Sequence, residues 1–471
     1  MGWLIYLLLG IFVGIYIIVY AKINRDIFSP SLLFLLAYVV SVGCAVLNVK
    51  RWNIDMWFVT FAVLLIGALE FIIIGLLVDK KCERIWKKTR GASIANHGII
   101  SIAWWKMGLT IVFCIVYLIL LGINVMEIAS RSGSYHSFSE ALTLFKDTTS
   151  MTLTYSLPWW LEQMERLVMI CAYIYLYVFL RNVVWMGEEK VKEVALKQVA
   201  YIIPVILYIF NGILMSDRLM ILQILIAGII MCFLEWTYKT GKEFISLKTI
   251  FMLVIAACIG LVIFYISAEF VGRINSKGLF EYITYYCGGS IECLNQYFKD
   301  PPMASELFGK ETFYNLNRKL FDLGLLKIDE FYPIHLEFRF YHDIMLGNVY
   351  TAYRRWIQDF GFTGAFLLQG IMAFIMSVFY NRVKYGKFKN SGFWIVLYGY
   401  LVYTVVLHPI DGYFYLQCVS QTFITTLLLM WLGYWFFTQL EISLKGGFSL
   451  HINSEWIFEK GRLQRRENGR K

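Results

Sequence analysis

Hydrophobic stretches long enough to cross a bilayer recur along nearly the whole chain. A membrane-spanning helix needs ~20 apolar residues, and about eleven stretches reach that length. They begin near Trp3, Ser31, Met56, Met107, Leu167, Val199, Leu219, Ile250, Gly361, Gly392 and Leu416. One long polar stretch, residues 269–360, interrupts them. The pattern therefore predicts an all-α polytopic membrane protein with about eleven transmembrane helices and a large, partly helical polar loop.

This pattern divides the chain into four parts. They are helices 1–8 in residues 1–268, the polar loop in 269–360, helices 9–11 in 361–437, and a basic tail in 438–471. Within the loop, apolar residues at helical spacing predict an amphipathic helix over residues 313–323. Ser137 and Glu140 have the spacing of a capping box, which predicts a short helix in an earlier loop.

Composition and charge support a membrane location. Of 471 residues, 59% are hydrophobic and 16% are charged, and the mean hydropathy is +0.62. A soluble domain of this length could not bury so much apolar surface. The net charge of +10 comes from short loops between apolar stretches, which is typical of cytoplasmic loops rather than of a nucleic-acid-binding surface. The loops that follow the odd-numbered spans, and the tail, are thus predicted to be cytoplasmic. The large polar loop is predicted to be extracytoplasmic.

Several arginines lie at the predicted ends of spans or in the short turns between them. Arg218 occupies the short turn between the sixth and seventh spans, and Arg273 follows the eighth. Another group leads into the ninth span: Tyr350, Tyr353, Arg354 and Arg355. Arginine pairs phosphate oxygens bidentately, and aromatic faces stack on sugar rings. The alternative is that these residues only anchor the spans at the membrane interface.

Two groups of polar residues outside the spans are candidates for a general base. The first crowds the polar loop and contains His335, Glu337, Arg339, His342 and Asp343. The second, His408 and Asp411, lies in the last outside loop. Because an aspartate or a neutral histidine can take a proton from a sugar hydroxyl, the catalytic candidates are His335, Asp343, His408 and Asp411. Their spacing matches no standard metal signature, so no metal or other cofactor is predicted.

Three further residues carry structural predictions. Asn211, inside the sixth span, predicts a hydrogen bond between helices. Cys287 and Cys293 share the polar loop. They either form a local disulfide, if that loop faces an oxidising space, or remain free thiols.

The layout and three short motifs resemble the bacterial O-antigen and capsule polymerases of the Wzy type. The layout covers most of the chain, whereas only the motifs match at the level of residues. The motifs are Ser216-Asp217-Arg218, Tyr285-Tyr-Cys-Gly-Gly, and Gly347-Asn-Val-Tyr-Thr-Ala-Tyr-Arg354-Arg-Trp-Ile-Gln-Asp-Phe-Gly361.

This resemblance implies a GT-C-like fold and a glycosyltransferase in the bacterial inner membrane whose active site faces the outside. Such polymerases move a growing glycan from undecaprenyl pyrophosphate onto a new undecaprenyl-pyrophosphate-linked oligosaccharide, without a metal. A flippase and a chain-length regulator are the expected protein partners. Carried over to this chain, the donor pyrophosphate and its sugar would be held by Arg218, Arg273, Arg354, Arg355, Tyr350 and Tyr353. One of the four catalytic candidates would act as the base.

The closest alternative is an O-antigen ligase, which shares the fold and the donor but transfers the glycan to the lipid A core. A polysaccharide flippase or other transporter, or a membrane scaffold, belongs to a different class. A flippase tends to carry charged residues within its spans, and transporters often contain two similar halves. This chain pools its polar residues outside apolar spans and shows no such repeat, which favours an enzyme at the outer face.

Overall fold

The computed structural model describes most of the chain. The described residues are 2–23, 25–87, 98–152, 154–186, 198–243, 260, 262, 265–266, 278–303, 305–443 and 449–452. Apart from isolated positions, the predicted eighth span near Ile250 lies outside the described residues, and so do Arg273 and most of the basic tail.

Among the described residues, seven helices are long and apolar enough to cross a membrane. They are α1 (Leu4–Lys22), α2 (Pro30–Leu47), α4 (Phe58–Trp86), α5 (Trp104–Ser132), α7 (Trp159–Trp185), α9 (Arg218–Thr240) and α12 (Ala352–Lys384). Several long apolar helices of this kind indicate a multi-pass membrane protein. Length and apolar composition together thus support seven spans among the described residues, fewer than the about eleven predicted from hydropathy.

The remaining helices are shorter or carry more polar residues. They are α3 (Val49–Trp52), α6 (Phe138–Lys146), α8 (Ile203–Leu214), α10 (Leu279–Lys299), α11 (Tyr314–Asp322), α13 (Ser391–Leu401), α14 (Tyr403–Val406), α15 (Tyr413–Cys418) and α16 (Gln421–Thr438). Two antiparallel hairpins pair β1 (Arg339–Tyr341) with β2 (Ile344–Gly347) and β3 (Leu440–Ser443) with β4 (Ser449–Ile452). The predicted sixth, tenth and eleventh spans coincide with α8, with α13 and α14, and with α16.

Two local predictions are confirmed. The Ser137 hydroxyl accepts a hydrogen bond from the Glu140 amide at 3.2 Å, and α6 begins directly after it. The amphipathic helix predicted in the polar loop is α11. In both cases a short-range pattern, either a cap or a helical repeat of apolar residues, determines the local structure.

Helix α10 packs closely against α2, although by sequence it belongs to the polar loop. A Cβ atom at Gly288 would lie 2.5 Å from the backbone nitrogen of Ala45 and 2.7 Å from the carbonyl carbon of Cys44. The Ser41 hydroxyl donates to the carbonyl oxygen of Cys287 at 2.6 Å. Because backbone meets backbone at this crossing, only glycine fits at position 288, and α10 becomes part of the helical bundle.

Replacing Gly288 by alanine is expected to destabilise the folded protein by about 1–3 kcal/mol, since the two helices must move apart to admit the methyl group. The thermal midpoint of the purified protein in detergent measures the effect. Gly122→Ala is the control, because a Cβ there has open space around it. Equal midpoints for the two variants would contradict the close crossing.

Helix α12 is sharply bent at Gly361, where the backbone adopts φ 66° and ψ −174°. The Gln369 side-chain amide donates to the Tyr353 hydroxyl at 3.0 Å, although these residues would be about 24 Å apart in a straight helix. The part before Gly361 therefore turns back towards the part after it, and the two form a V. A Cβ at Gly67 of α4 would lie 2.0 Å from the Tyr353 hydroxyl. The first part of α12 therefore packs against α4, about 13 Å along α4 from the first residue of that helix.

The remaining structural predictions have clear outcomes. Tyr117 donates to the side-chain oxygen of Asn211 at 2.7 Å, which joins α5 to α8 as predicted. Cys287 and Cys293 are both free thiols on α10. Six positions along a helix separate their backbones by about 9 Å, which is beyond the reach of a disulfide.

Candidate functional site

Arg218 is the first residue of α9 and is only 6% exposed. The preceding residue, Asp217, caps this helix by accepting a hydrogen bond from the Leu219 amide at 3.0 Å. The Arg218 guanidinium donates to the hydroxyls of Tyr282 and Tyr286 on α10 and lies over both rings, 5.2 Å from the centre of the Tyr286 ring. A cation beside the positive end of a helix dipole is an unfavourable placement, and it concentrates positive potential at this turn.

Arg354 and Arg355 lie at the start of α12 and are almost fully buried. Arg354 pairs with Glu311 at 2.6 Å and with Glu337 at 3.0 Å, and its guanidinium lies 4.5 Å from the centre of the Tyr297 ring. Its Nε finds no hydrogen-bond partner among the described residues. Carboxylates therefore already neutralise this arginine, and its one unpaired donor is itself buried.

Arg355 is more completely engaged by the protein. Its Nε and one terminal nitrogen hold both carboxylate oxygens of Asp411, at 2.6 Å and 2.9 Å. It also donates to the carbonyl oxygens of Ile334 and Glu311. Such a bidentate pair fixes the relative positions of its two segments, so Arg355 joins the loop that contains Asp411 to the start of α12.

The two acidic partners of Arg354 have different electrostatic environments. Burial raises the pKa of Glu311, although Arg354 and Arg355 oppose this effect. Burial also works to raise the pKa of Glu337, but Arg354, backbone donors and Arg339 outweigh it and hold that pKa below the ordinary value. Glu337 is therefore the firmly ionised partner of Arg354.

His408 is fully buried, and both of its ring nitrogens have hydrogen-bond partners. Nδ1 lies 2.7 Å from the Tyr38 hydroxyl and Nε2 lies 2.9 Å from Oε1 of Gln369. The Gln369 amide nitrogen donates to Tyr353 and to the carbonyl oxygen of Gly67, so its oxygen must accept from His408. This arrangement places a ring proton on Nε2, and because burial disfavours the charged imidazolium, Nδ1 accepts from the Tyr38 hydroxyl. Burial accordingly lowers the pKa of His408 to about 3.

The structure distributes the other predicted residues unevenly. His335 lies in the segment between the carbonyl of Ile334, which binds Arg355, and Glu337, which binds Arg354. Asp343 lies at the exposed turn between β1 and β2. Tyr350 is buried; it accepts a hydrogen bond from Arg339 and donates to the carbonyl oxygen of Glu337. Tyr353 belongs to the hydrogen-bond network around His408.

Arg218 and Arg354 contact opposite ends of α10. Arg218 meets Tyr286 near its start, whereas Arg354 lies over Tyr297 near its end. These tyrosines are about three helical turns apart, roughly 16 Å along the axis. The sequence-predicted arginines are therefore not gathered around one phosphate group.

A cavity of 450 Å³ with a mixed polar and apolar lining lies beside the turn that precedes Arg218. Met215, from that turn, lines it together with Glu162, Glu165 and Arg166 of α7. Five hydroxyl-bearing residues also line it: Thr149, Ser156, Tyr400, Thr422 and Thr426. The apolar side chains of Phe145, Leu157 and Met169 complete the lining. One oxygen of Glu165 accepts a long hydrogen bond, 3.5 Å, from the Asn211 amide. A half-buried carboxylate thus borders a cavity that presents several hydroxyl groups.

Sequence reasoning missed Glu165, Glu311 and Gln369. Glu165 lies just before the fifth predicted span, between Glu162 and Arg166, and this mixed-charge pattern does not distinguish it from a residue at a solvated helix end. Glu311 is far along the chain from the arginine that it binds. One usable signal was the charge of Arg354 and Arg355, since two buried cations require nearby anions.

No protein family, characterised protein or solved structure matches this chain. The fold and the polar clusters define the class: a multi-pass helical membrane protein with arginine–carboxylate pairs buried where the polar loop meets the bundle. Within the described residues, no three His, Cys, Asp or Glu side chains are grouped so that they could hold a metal ion.

Glu292 of α10 provides a test of how tightly this region is packed. Burial raises its pKa to about 7, against an ordinary value near 4.5. Between these two pKa values the folded state keeps a proton on Glu292 that the unfolded state releases. The contribution of Glu292 to stability is therefore fully present below pH 4.5 and is lost as the pH rises through 7. We expect Glu292→Gln to be more stable than the wild type by about 1–3 kcal/mol at pH 8, and equal to it near pH 4.

The thermal midpoint as a function of pH measures this difference. The exposed Glu306 supplies the control, because Glu306→Gln should leave the pH dependence unchanged. A Glu292→Gln curve parallel to that of the wild type would show that Glu292 is solvated.

Proposed function

We propose that this protein is a polymerase that joins lipid-pyrophosphate-linked oligosaccharide repeat units into a surface polysaccharide. The observation that carries the proposal is the position of Arg218, the first residue of α9, directly after the turn whose Met215 lines a cavity that also holds the half-buried carboxylate of Glu165. A glycosyl transfer from a pyrophosphate needs a cationic site for the leaving group and a base for the attacking hydroxyl. The resemblance to Wzy-type polymerases supplies the substrate class, undecaprenyl-pyrophosphate-linked oligosaccharide.

Arg218 is the residue proposed to hold the donor pyrophosphate. The start of a helix carries a partial positive charge that attracts anions, and the guanidinium adds a full positive charge. Tyr282 and Tyr286 hold the guanidinium with neutral hydroxyls. A phosphate can replace a phenol partner at a lower electrostatic cost than it can replace a carboxylate.

Arg354 is the second candidate for this role, through its Nε. Arg355 is proposed as a positioning residue, since the Asp411 carboxylate binds both its Nε and one of its terminal nitrogens. His408 is likewise a positioning residue, because Tyr38 and Gln369 occupy both of its nitrogens.

Glu165 is proposed as the general base. It would take the proton from the acceptor hydroxyl as that oxygen attacks the anomeric carbon of the donor. The bond between that carbon and the pyrophosphate oxygen breaks, and the lipid pyrophosphate leaves with the bonding electrons, stabilised by Arg218. The threonine and serine hydroxyls of the cavity offer hydrogen bonds to the acceptor sugar.

The proposed location is the bacterial inner membrane, with about eleven spans and the reaction at the outer face. A flippase that delivers the repeat unit and a regulator of chain length are the proposed partners. An outer location agrees with the basic, cytoplasmic-type loops at the opposite ends of the helices.

The test reconstitutes the purified full chain in liposomes with a lipid-pyrophosphate-linked oligosaccharide and resolves the products by size. A ladder of lipid-linked glycans several repeats long is expected. Glu165→Gln should abolish it, while Glu127→Gln, at an exposed ion pair, should not. Transfer only when a lipid A core is added would replace the proposal with a ligase, and movement of the unit across the membrane without elongation would replace it with a flippase.

A further inference from the structure

A second cavity, of 620 Å³, lies at the opposite ends of α4 and α12 from the candidate site. Asp79, on its wall, is about 18 Å further along α4 than Gly67, the residue that meets Tyr353. The cavity also borders Lys22, the last residue of α1. It is therefore a separate site, at the end of the bundle where the loops are basic.

Buried polar groups build the back wall of this cavity. Lys384 pairs with Asp26 at 2.7 Å and with Glu243 at 3.3 Å. The Tyr380 hydroxyl also donates to Asp26, at 2.8 Å. Burying an ion pair is costly unless further hydrogen bonds satisfy it, so this wall holds a fixed arrangement of charge.

The mouth of the cavity presents charges of both signs. Lys22 and Lys80 are exposed and line it. Asp79 is half-exposed, and its Oδ1 accepts a hydrogen bond from the Asn381 amide at 2.6 Å. Its other oxygen takes part in no hydrogen bond among the described residues, so a carboxylate oxygen and two ammonium groups are available to one ligand.

Apolar side chains form the remaining side. Ile73 and Leu77 line the cavity, and they are 55% and 65% exposed on the outer surface of α4. In a helix long enough to span a membrane, exposed side chains of this kind face lipid. The cavity consequently opens sideways towards the acyl chains as well as towards the charged mouth.

We propose that this cavity binds a phospholipid with a phosphoethanolamine head group. The ammonium of the lipid donates to Asp79, its phosphate lies between Lys22 and Lys80, and an acyl chain runs along Ile73 and Leu77. A choline head group carries no N–H to donate, and an anionic glycerol head group brings no cation to Asp79. The lipid-facing apolar side favours a membrane lipid over the free head group.

The test measures the rise in thermal midpoint that short-chain lipids give to the purified full chain in detergent. Phosphatidylethanolamine is expected to raise the midpoint more than phosphatidylcholine, phosphatidylglycerol or free phosphoethanolamine does. Asp79→Asn should remove this preference and weaken binding of the ethanolamine lipid about tenfold, since a charge-assisted hydrogen bond is lost. Asp343→Asn, at an exposed hairpin turn, is the matched control.

A second variant separates the head-group contacts. Lys22→Gln should weaken all three phospholipids to a similar extent, because they share the phosphate. Equal stabilisation of the wild type by every lipid, or an ethanolamine preference that survives in Asp79→Asn, would overturn the proposal. A response to free phosphoethanolamine equal to that of the lipid would show a soluble ligand instead. None of these readouts depends on glycosyl transfer.

Discussion

Replacing Asp411 by alanine is expected to lower the stability of the folded protein by about 3–5 kcal/mol, because Arg355 would remain buried without its carboxylate. The Asp411 carboxylate accepts hydrogen bonds from the Nε and one terminal nitrogen of Arg355, and it also accepts from the Gly412 amide at 2.7 Å. The loss should appear as a large fall in thermal midpoint and in the yield of folded protein.

The control for this prediction is Asp343→Ala, at the exposed hairpin turn, which should change stability little. A double variant, Arg355→Met with Asp411→Leu, should recover much of the loss, since apolar residues of similar size can replace a buried ion pair. An Asp411→Ala protein as stable as the wild type would mean that water reaches the guanidinium.

Under the proposed function, replacing Arg218 by glutamine is expected to reduce glycan elongation at least about a hundredfold while the protein still folds. Loss of a donor that stabilises developing negative charge commonly costs about 10²–10³ in rate. The folded state keeps Asp217 as the helix cap and removes a cation from the positive end of α9, which limits the effect on stability.

The reconstituted elongation assay measures this effect, with the thermal midpoint as a check on folding. Arg51→Gln is the matched control, because Arg51 is a more exposed arginine that pairs with Glu281, next to Tyr282 on the same helix. Normal elongation by a well-folded Arg218→Gln protein would remove Arg218 from the reaction.

Hydropathy and local motifs predicted much of the fold. The long apolar helices, the cap at Ser137, the amphipathic α11 and the position of Arg218 at a turn all depend on residues close in sequence. Each is determined by a short-range cause, such as the length of an apolar run or the spacing of a cap.

The contacts that make up the candidate site could not be predicted in this way. Glu311 and Arg354 are distant in sequence, and their pairing depends on how the polar loop folds over the bundle. Gly361 was expected to begin a span. A glycine at this position is equally compatible with an ordinary helix start, so the sequence does not reveal the positive φ that bends α12 there. Asp411 was predicted as a base, whereas the structure places its carboxylate against Arg355.

The bend at Gly361 also bears on how membrane topology is counted in this chain. A straight helix of the length of α12, 33 residues, would be about 50 Å long, far more than the ~30 Å hydrocarbon core. Because the first part turns back, only the part after Gly361 has to cross. Reporters placed just before residue 352 and at residue 361 should therefore be accessible from the same side of the membrane. The segment between them does not count as a crossing when the spans of this chain are numbered.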